Sequence, residues 1–275
     1  MSPLELLFEA PGLPHVPLPL GLRRLYGGDL GFTPGTLYAN FVSSLDGVVA
    51  LEDPSSAGSS ISGSSEADRF VMGLLRAFAD AVLIGAGTLR AEPRHLWTPA
   101  KIEPAAAAEY AELRRQLGRA PEPMLAVVSA TGDLPVEAAA LEAGALVLTS
   151  GEAAPAARRR IPAASRVVAI GRGDSFSASE TLARVRAEGV DIVLTEGGPH
   201  LIGTLVAGGF LDELFLTLSP VLAGRDSSRR RMGLLEGFTA LPDAGRWGSL
   251  LSLRRAASLL FLRYDVGRGR GQKEP

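Results

Sequence analysis

The sequence predicts an α/β fold built on a mostly parallel sheet flanked by helices, and three observations carry that prediction. Short apolar runs at 81–84, 124–129, 145–149, 167–170 and 190–195 alternate with stretches of helical periodicity, as in successive βαβ units. Two of these runs, 81–84 and 190–195, end in glycines where a helix begins, the place where such sheets bind ligands. Beyond Gly209 the apolar period falls to two and strands at 250–256 and 259–265 follow with little between them, which predicts antiparallel strands closing one edge.

In chain order, residues 1–36 are rich in proline and glycine and read as a wrapped N-terminal arm, with a short helix around Leu4 to Phe8. Leu37 to Ser43 is the first core strand, and the Gly/Ser-rich loop through Ser60 has the composition of a lid. Ser65 followed by Asp68 fits a capping box. Ala67, Phe70, Val71, Leu74, Leu75 and Phe78 then share one helix face. By spacing alone Arg76 lies off that face, a solvated residue paired with Asp80. The Ala- and Arg-rich segment 93–123, with a surface helix over 105–117, reads as an insertion. Residues 37–265 form one domain, and 266–275 have the composition of a flexible tail.

The composition excludes several classes of function. A formal charge of −2 leaves no electrostatic footprint for nucleic acid. The absence of cysteine removes thiolate nucleophiles and cysteine-ligated metals, and three scattered histidines argue against a histidine metal site. No apolar run approaches the roughly 18 residues of a membrane span, so a soluble, cytoplasmic protein is expected.

The chemistry concentrates at 190–206. A buried strand stops at Gly197-Gly198 and restarts as a helix with Pro199 in its first turn, aiming unpaired N–H groups and a positive helix end at one spot suited to an anion. Glu196 projects beside it. A strand-to-helix turn that binds nothing is the alternative reading. Gly85-Ala86-Gly87-Thr88 is a second such opening, but Arg90 occupies the third glycine position of the dinucleotide fingerprint.

Three stretches in order, Ala39-Asn40-Phe41-Val42-Ser43-Ser44-Leu45-Asp46-Gly47, Leu74 to Thr88, and Thr195-Glu196-Gly197-Gly198-Pro199 through Leu214, resemble the pyrimidine reductase family of riboflavin biosynthesis over about residues 37–265. The resemblance implies a dihydrofolate-reductase-like fold, a homodimer and NADPH as hydride donor. It implies a nucleotide site made of Ser43, Gly85, Thr88, Glu92, Ser129 and the segment Gly197, Gly198, Pro199, His200, Leu201 and Ile202. Asp46 and Glu196 would be catalytic, Asp46 assisting protonation and Glu196 orienting; the alternative for each is a turn-stabilising side chain, Asp46 in an Asx-type turn before Gly47. Arg76 would hold the substrate phosphate, against its solvated reading, and Arg94 would substitute for a family arginine. Ser129, Thr131, Ser150 and Arg172 are candidates for a 2′-phosphate. The sequence departs from the family at Ala91-Glu92-Pro93-Arg94-His95, where an Asp-Asp-Pro is common, and at Ser60, where a tryptophan is common. It also lacks the cysteine and histidine signature of the deaminase that precedes the reductase in bifunctional members. Competing readings are a reductase of dihydrofolate or another small molecule, and a non-catalytic NADP(H)- or flavin-binding protein.

Overall fold

The computed structural model describes residues 1–51, 57–171, 177–226, 231–242 and 245–267. Its strands are β1 (Glu5–Glu9), β2 (Leu37–Ser43), β3 (Ala50–Leu51), β4 (Ala81–Gly85), β5 (Met124–Ser129) and β6 (Leu146–Thr149), then β7 (Arg166–Ala169), β8 (Val193–Thr195), β9 (Glu213–Leu218), β10 (Arg231–Met232), β11 (Ser249–Ala256) and β12 (Leu259–Asp265). The helices are α1 (Leu20–Tyr26), α2 (Ala57–Ser62), α3 (Glu66–Phe78), α4 (Ala86–Ala91) and α5 (Pro99–Ile102), then α6 (Ala107–Gln116), α7 (Ala139–Ala143), α8 (Ala154–Arg160), α9 (Ala178–Arg186) and α10 (Pro199–Gly208).

Ten strands make one sheet in the order β1-β11-β12-β9-β2-β8-β4-β5-β6-β7, while β3 and β10 pair as a separate ribbon. From β9 to β7 every pairing is parallel. Residues alternate between the two faces of this sheet. Tyr38, Val82, Val127 and Leu194 join a core with α3 and α6 on one face. Ala39, Leu83, Val128 and Val193 join Leu182 and Val185 of α9 and Ile202 and Leu205 of α10 on the other.

Helix α3 forms as its sequence predicts: the Ser65 hydroxyl accepts the Asp68 amide at 3.3 Å, with Glu66 and Asp68 in the first turn complementing the helix dipole. The expected antiparallel C-terminal strands close one edge: β12 pairs antiparallel with β9 and with β11, β1 extends the block, and β9 also runs parallel to β2.

Two expectations are overturned. Residues 5–9 are a strand, not a helix: β1 pairs antiparallel with β11 at the sheet's edge. Ladder partners on β11 outweigh helical propensity for so short a segment. The arm is bound through Arg254, which is buried, stacks 3.9 Å over the Tyr26 ring, donates to the Tyr26 carbonyl at 3.0 Å and pairs with Glu9 at 2.8 Å. Likewise, the segment after Pro93 is not a surface insertion. Tyr110 and Leu113 of α6 are buried against α3, and the Tyr110 hydroxyl donates to the Phe70 carbonyl at 2.8 Å. A Cβ on Gly73 would stand 2.7 Å from the Tyr110 ring, so glycine there lets the two helices approach. Buried Arg114 donates to the carbonyls of Arg76, Ala77 and Ala79, closing the C-terminal end of α3. The tail after 267 and Arg172 lie outside the described residues, as does part of the loop expected to form a lid.

Candidate active site

The site follows from the winding of the sheet. The chain leaves β4 through α4, whose Leu89 joins the core shared with α3 and α6, but leaves β8 through α10 on the opposite face. Two neighbouring parallel strands whose following helices part in this way open a crevice beyond their C-terminal ends. A cleft of about 760 Å³ lies there, lined by residues that follow β2, β4, β5 and β8 and by α3.

The glycine turns make two sides of this cleft. Gly198 caps α10 with extended backbone and Pro199 occupies the first helical position, where its missing N–H costs nothing. A Cβ on Gly197 would lie 2.5 Å from the Leu201 side chain. A Cβ on Gly198 would lie 3.7 Å from the Thr88 hydroxyl, so the starts of α10 and α4 face one another. A Cβ on Gly85 or Gly87 would meet nothing within 4 Å, which leaves open space for a ligand's backbone-hugging approach. Ser129 and Thr131 line the cleft beyond β5, beside Arg90, which donates to the Asp133 carbonyl at 3.0 Å and is otherwise exposed.

The other part of the cleft is charged. Arg76 and Glu196, whose side chains are 2% and 8% exposed, form a two-pronged pair, with Arg76 Nε 3.0 Å from Glu196 Oε1 and Nη2 2.7 Å from Oε2. Arg76 Nη1 approaches His95 Nε2 at 3.0 Å and the Thr98 carbonyl at 3.3 Å. Burial, with the Arg76 charge adding to it, holds the His95 imidazole down to about 3, so Nε2 of the neutral ring accepts from Arg76. Burial raises the Glu92 carboxyl above its ordinary value against the pull of Arg76. Burial likewise pushes Asp68 up to about 6, although the hydroxyls of Thr217 and Ser62 donate to it, and the nearby Glu196 charge adds to the rise.

The residues expected at the site divide accordingly. Glu196, Arg76, Gly85, Thr88, Glu92, Ser129, Gly197, Gly198, Pro199, His200 and Leu201 all line the cleft. Arg76 is neither solvated nor paired with Asp80, whose partner is Arg119. Its guanidinium donates to Glu196, His95 and Thr98, so the substrate phosphate expected on it would have to displace one of these.

Four expected site residues lie elsewhere. Ile202 is fully buried in the core beneath α10, because it faces the sheet one position past Leu201. Ser43 donates to the Ser44 carbonyl at 2.9 Å and is not among the lining residues. Arg94 is exposed, and His95 faces the cleft instead. Asp46 is exposed and outside the lining, its carboxylate accepting from the Ser44 hydroxyl at 2.6 Å and from the amides of Ala223 and Gly224 at 2.9 and 2.7 Å. The Ser44 hydroxyl first, then the Ala223 amide, hold Asp46 down to about 2, which leaves it without a proton to give at neutral pH. Its geometry is that of a loop anchor. Among the 2′-phosphate candidates Thr131 lines the cleft with Ser129, whereas Ser150 accepts the Ala153 amide at the start of α8.

Sequence reasoning missed His95 and Asp68. The signal for His95 was the departure from Asp-Asp-Pro at 91–95. Asp68 was absorbed by the capping pattern it forms with Ser65.

Fold and site together define an α/β protein of reductase type, with its cleft at a switch point of the sheet and a charged pocket beside the glycine turns. The chain belongs to the RibD C-terminal domain family, whose sequence profile matches residues 35–252. An archaeal relative from Archaeoglobus fulgidus, named 2,5-diamino-6-ribosylamino-4(3H)-pyrimidinone 5′-phosphate reductase, is 29% identical over 194 residues, 70% of this chain and 83% of that protein. The solved structure of a pyrimidine reductase-like protein from Corynebacterium diphtheriae superposes with a TM-score of 0.63 at 23% identity, over 90% of this chain and 99% of that one. The riboflavin biosynthesis reductase Rib7 of Saccharomyces cerevisiae superposes with a TM-score of 0.56 at 13% identity, over 88% and 94%. Among the described residues no helix is long and apolar enough to cross a membrane, and no group of side chains is arranged to hold a metal.

Proposed function

We propose that this chain is an NADPH-dependent reductase of riboflavin biosynthesis, reducing the ribosyl side chain of a ribosylamino-pyrimidine phosphate to ribityl. The observation that carries this reading is the pair of glycine turns facing each other at the ends of two adjacent parallel strands, with space left between them. Bound in such a groove, a dihydronicotinamide dinucleotide supplies a hydride. The Gly197 amide donates to the Thr195 hydroxyl at 3.3 Å, so the start of α10 at Gly198 and the positive end of that helix would receive its pyrophosphate. Arg90, Ser129 and Thr131 supply a cation and two hydroxyls for a 2′-phosphate, which favours NADPH over NADH. Arg76 and His95 fix the Glu196 carboxylate at the cleft's centre, where it orients the substrate. Arg69, one-third exposed in the cleft beside Ser64, is the cation left for the substrate's phosphate. Asp46 shapes the loop after β2 and takes no part in proton transfer. The same reading includes a cytoplasmic enzyme acting as a homodimer.

The test is oxidation of NADPH by the purified protein. Saturable turnover with a ribosylamino-pyrimidine phosphate and none with dihydrofolate is expected. Binding of NADPH without turnover of any pyrimidine would favour the non-catalytic reading and overturn this one. Arg90→Ala is expected to cut the preference for NADPH over NADH by about tenfold through the loss of one charge-assisted contact, read from the two KM values.

A further inference from the structure

Once the nucleotide turns are assigned, one polar group in the cleft remains without an employment. Asp68 lies on α3 and is 6% exposed yet lines the cleft. Its carboxylate is held by two hydroxyls, Thr217 from β9 and Ser62 from α2. Burying a carboxylate is costly unless something compensates, and two neutral hydroxyls beside a second acid, Glu196, are weak compensation. The charges that act on this carboxylate are Glu196, which raises it, and Arg69, which lowers it, while Arg76, Glu92 and His95 line the same cleft. Arg76 is committed to Glu196, and Arg69, bonded to the Ser64 carbonyl and near Glu103, lowers the Asp68 carboxyl without overcoming its burial. Such a carboxylate is preorganised for a ligand that brings two donors side by side.

Ribosylamino-pyrimidines come in two forms that differ at C2. The 2-amino-4-oxo ring presents N3–H and the C2 amino group together, two parallel donors that match one carboxylate in the manner of a guanidinium. The 2,4-dioxo ring presents N3–H beside a C2 carbonyl, whose lone pairs would point at a carboxylate oxygen. Resting on the reductase reading above, we propose that Asp68 is the specificity-determining residue for position 2 of the pyrimidine, admitting the 2-amino-4-oxo ring and rejecting the 2,4-dioxo ring. The reaction that supplies this substrate must then leave the exocyclic amine in place, and hydrolytic removal of that amine must come after reduction.

The experiment compares kcat/KM for the two ribosylamino-pyrimidine phosphates at about pH 8, where a carboxyl titrating near 6 is ionised. Wild-type protein is expected to favour the 2-amino compound by about a hundredfold or more, since the 2,4-dioxo ring leaves the carboxylate without its second donor. Asp68→Asn, whose amide can donate to a C2 carbonyl, is expected to bring the ratio near one while the Kd for NADPH is unchanged. Equal use of both compounds by the wild-type protein, or a ratio unmoved in Asp68→Asn, overturns the assignment and leaves the reductase reading standing. Turnover of neither compound overturns the reductase reading. In that event equilibrium binding of 2,5,6-triamino-4-pyrimidinone against 5,6-diaminouracil still decides the role of Asp68, since preference for the first would uphold it and parity would end it.

Discussion

The pair Arg76–Glu196 joins a helix to a strand end 120 residues away and is nearly closed to water. Removing the charge from one partner strands the other. Glu196→Gln is therefore expected to cost about 3–5 kcal/mol in urea unfolding, besides its effect on catalysis. Two neighbours give the protein a pH signature of opposite signs. His95 titrates near 3 when folded and near 6.5 when unfolded, so below about 6.5 the unfolded chain binds the extra proton and stability falls as the pH drops. Asp68 titrates near 6 when folded against 3.8 when unfolded, so the folded chain binds the extra proton between those values and stability falls as the pH rises through them. Asp68→Asn should thus exceed the wild-type protein by about 2–3 kcal/mol above pH 7 and match it near about pH 4. A gain of this sign at a cleft residue is what selection for binding rather than stability would leave behind. Urea midpoints of the two proteins at both pH values check it.

At the scale of elements, the glycines separate stability from binding. A Cβ on Gly203 would stand 2.3 Å from the Glu236 carbonyl, backbone that cannot swing aside, so Gly203→Ala should cost about 1–3 kcal/mol by pushing the 233–237 segment off α10. At Gly197 the obstacle is the Leu201 side chain, which can rotate. Gly197→Ala should cost about 1 kcal/mol while weakening nucleotide binding about tenfold, since Leu201, which the new methyl displaces, lines the cleft at the start of α10. Nucleotide titration and urea unfolding of both variants distinguish the two effects. These turns were legible in the sequence because a glycine pair between a buried strand and a proline-led helix has few other uses. The helices α3 and α10 were legible through caps and periodicity. What could not be read was long-range placement. Asp68 shows a capping spacing that is correct and still says nothing about which flank of α3 the cleft touches. Arg76 falls off the apolar stripe of its own helix, and only the return of β8 between β2 and β4 brings Glu196 to it. β1 is too short for periodicity to declare a strand, and its partner lies some 245 residues on.

At the scale of the whole molecule, the described residues leave one sheet face uncovered. Helices α9 and α10 cover the parallel strands, but the row Leu216, Leu262, Leu253 and Phe8 runs side by side across β9, β12, β11 and β1 on the face opposite the core residues Phe215 and Phe261. Its members are half-buried or, for Phe8, 43% exposed. A contiguous apolar face of this kind is what a second copy of the sheet would cover. Sedimentation should find a dimer, and the double variant Leu216→Glu, Leu262→Glu should sediment as a folded monomer. A monomeric wild-type protein would reject the dimer.

The edge pairing of β1 with β11 also sets a timetable. Among the described strands β1 is made first, but its hydrogen-bonding neighbour, and the strand that links that neighbour to β9, are made after all the others. At 5–20 residues per second the first strand waits roughly 12–50 s for a mate, holding Leu6, Leu7 and Phe8 in the open meanwhile. The nucleotide half of the sheet has every strand it needs far sooner, so nascent chains stalled before residue 249 should contain an ordered cleft and an orphan N-terminal strand that trigger factor-like holdases can grip.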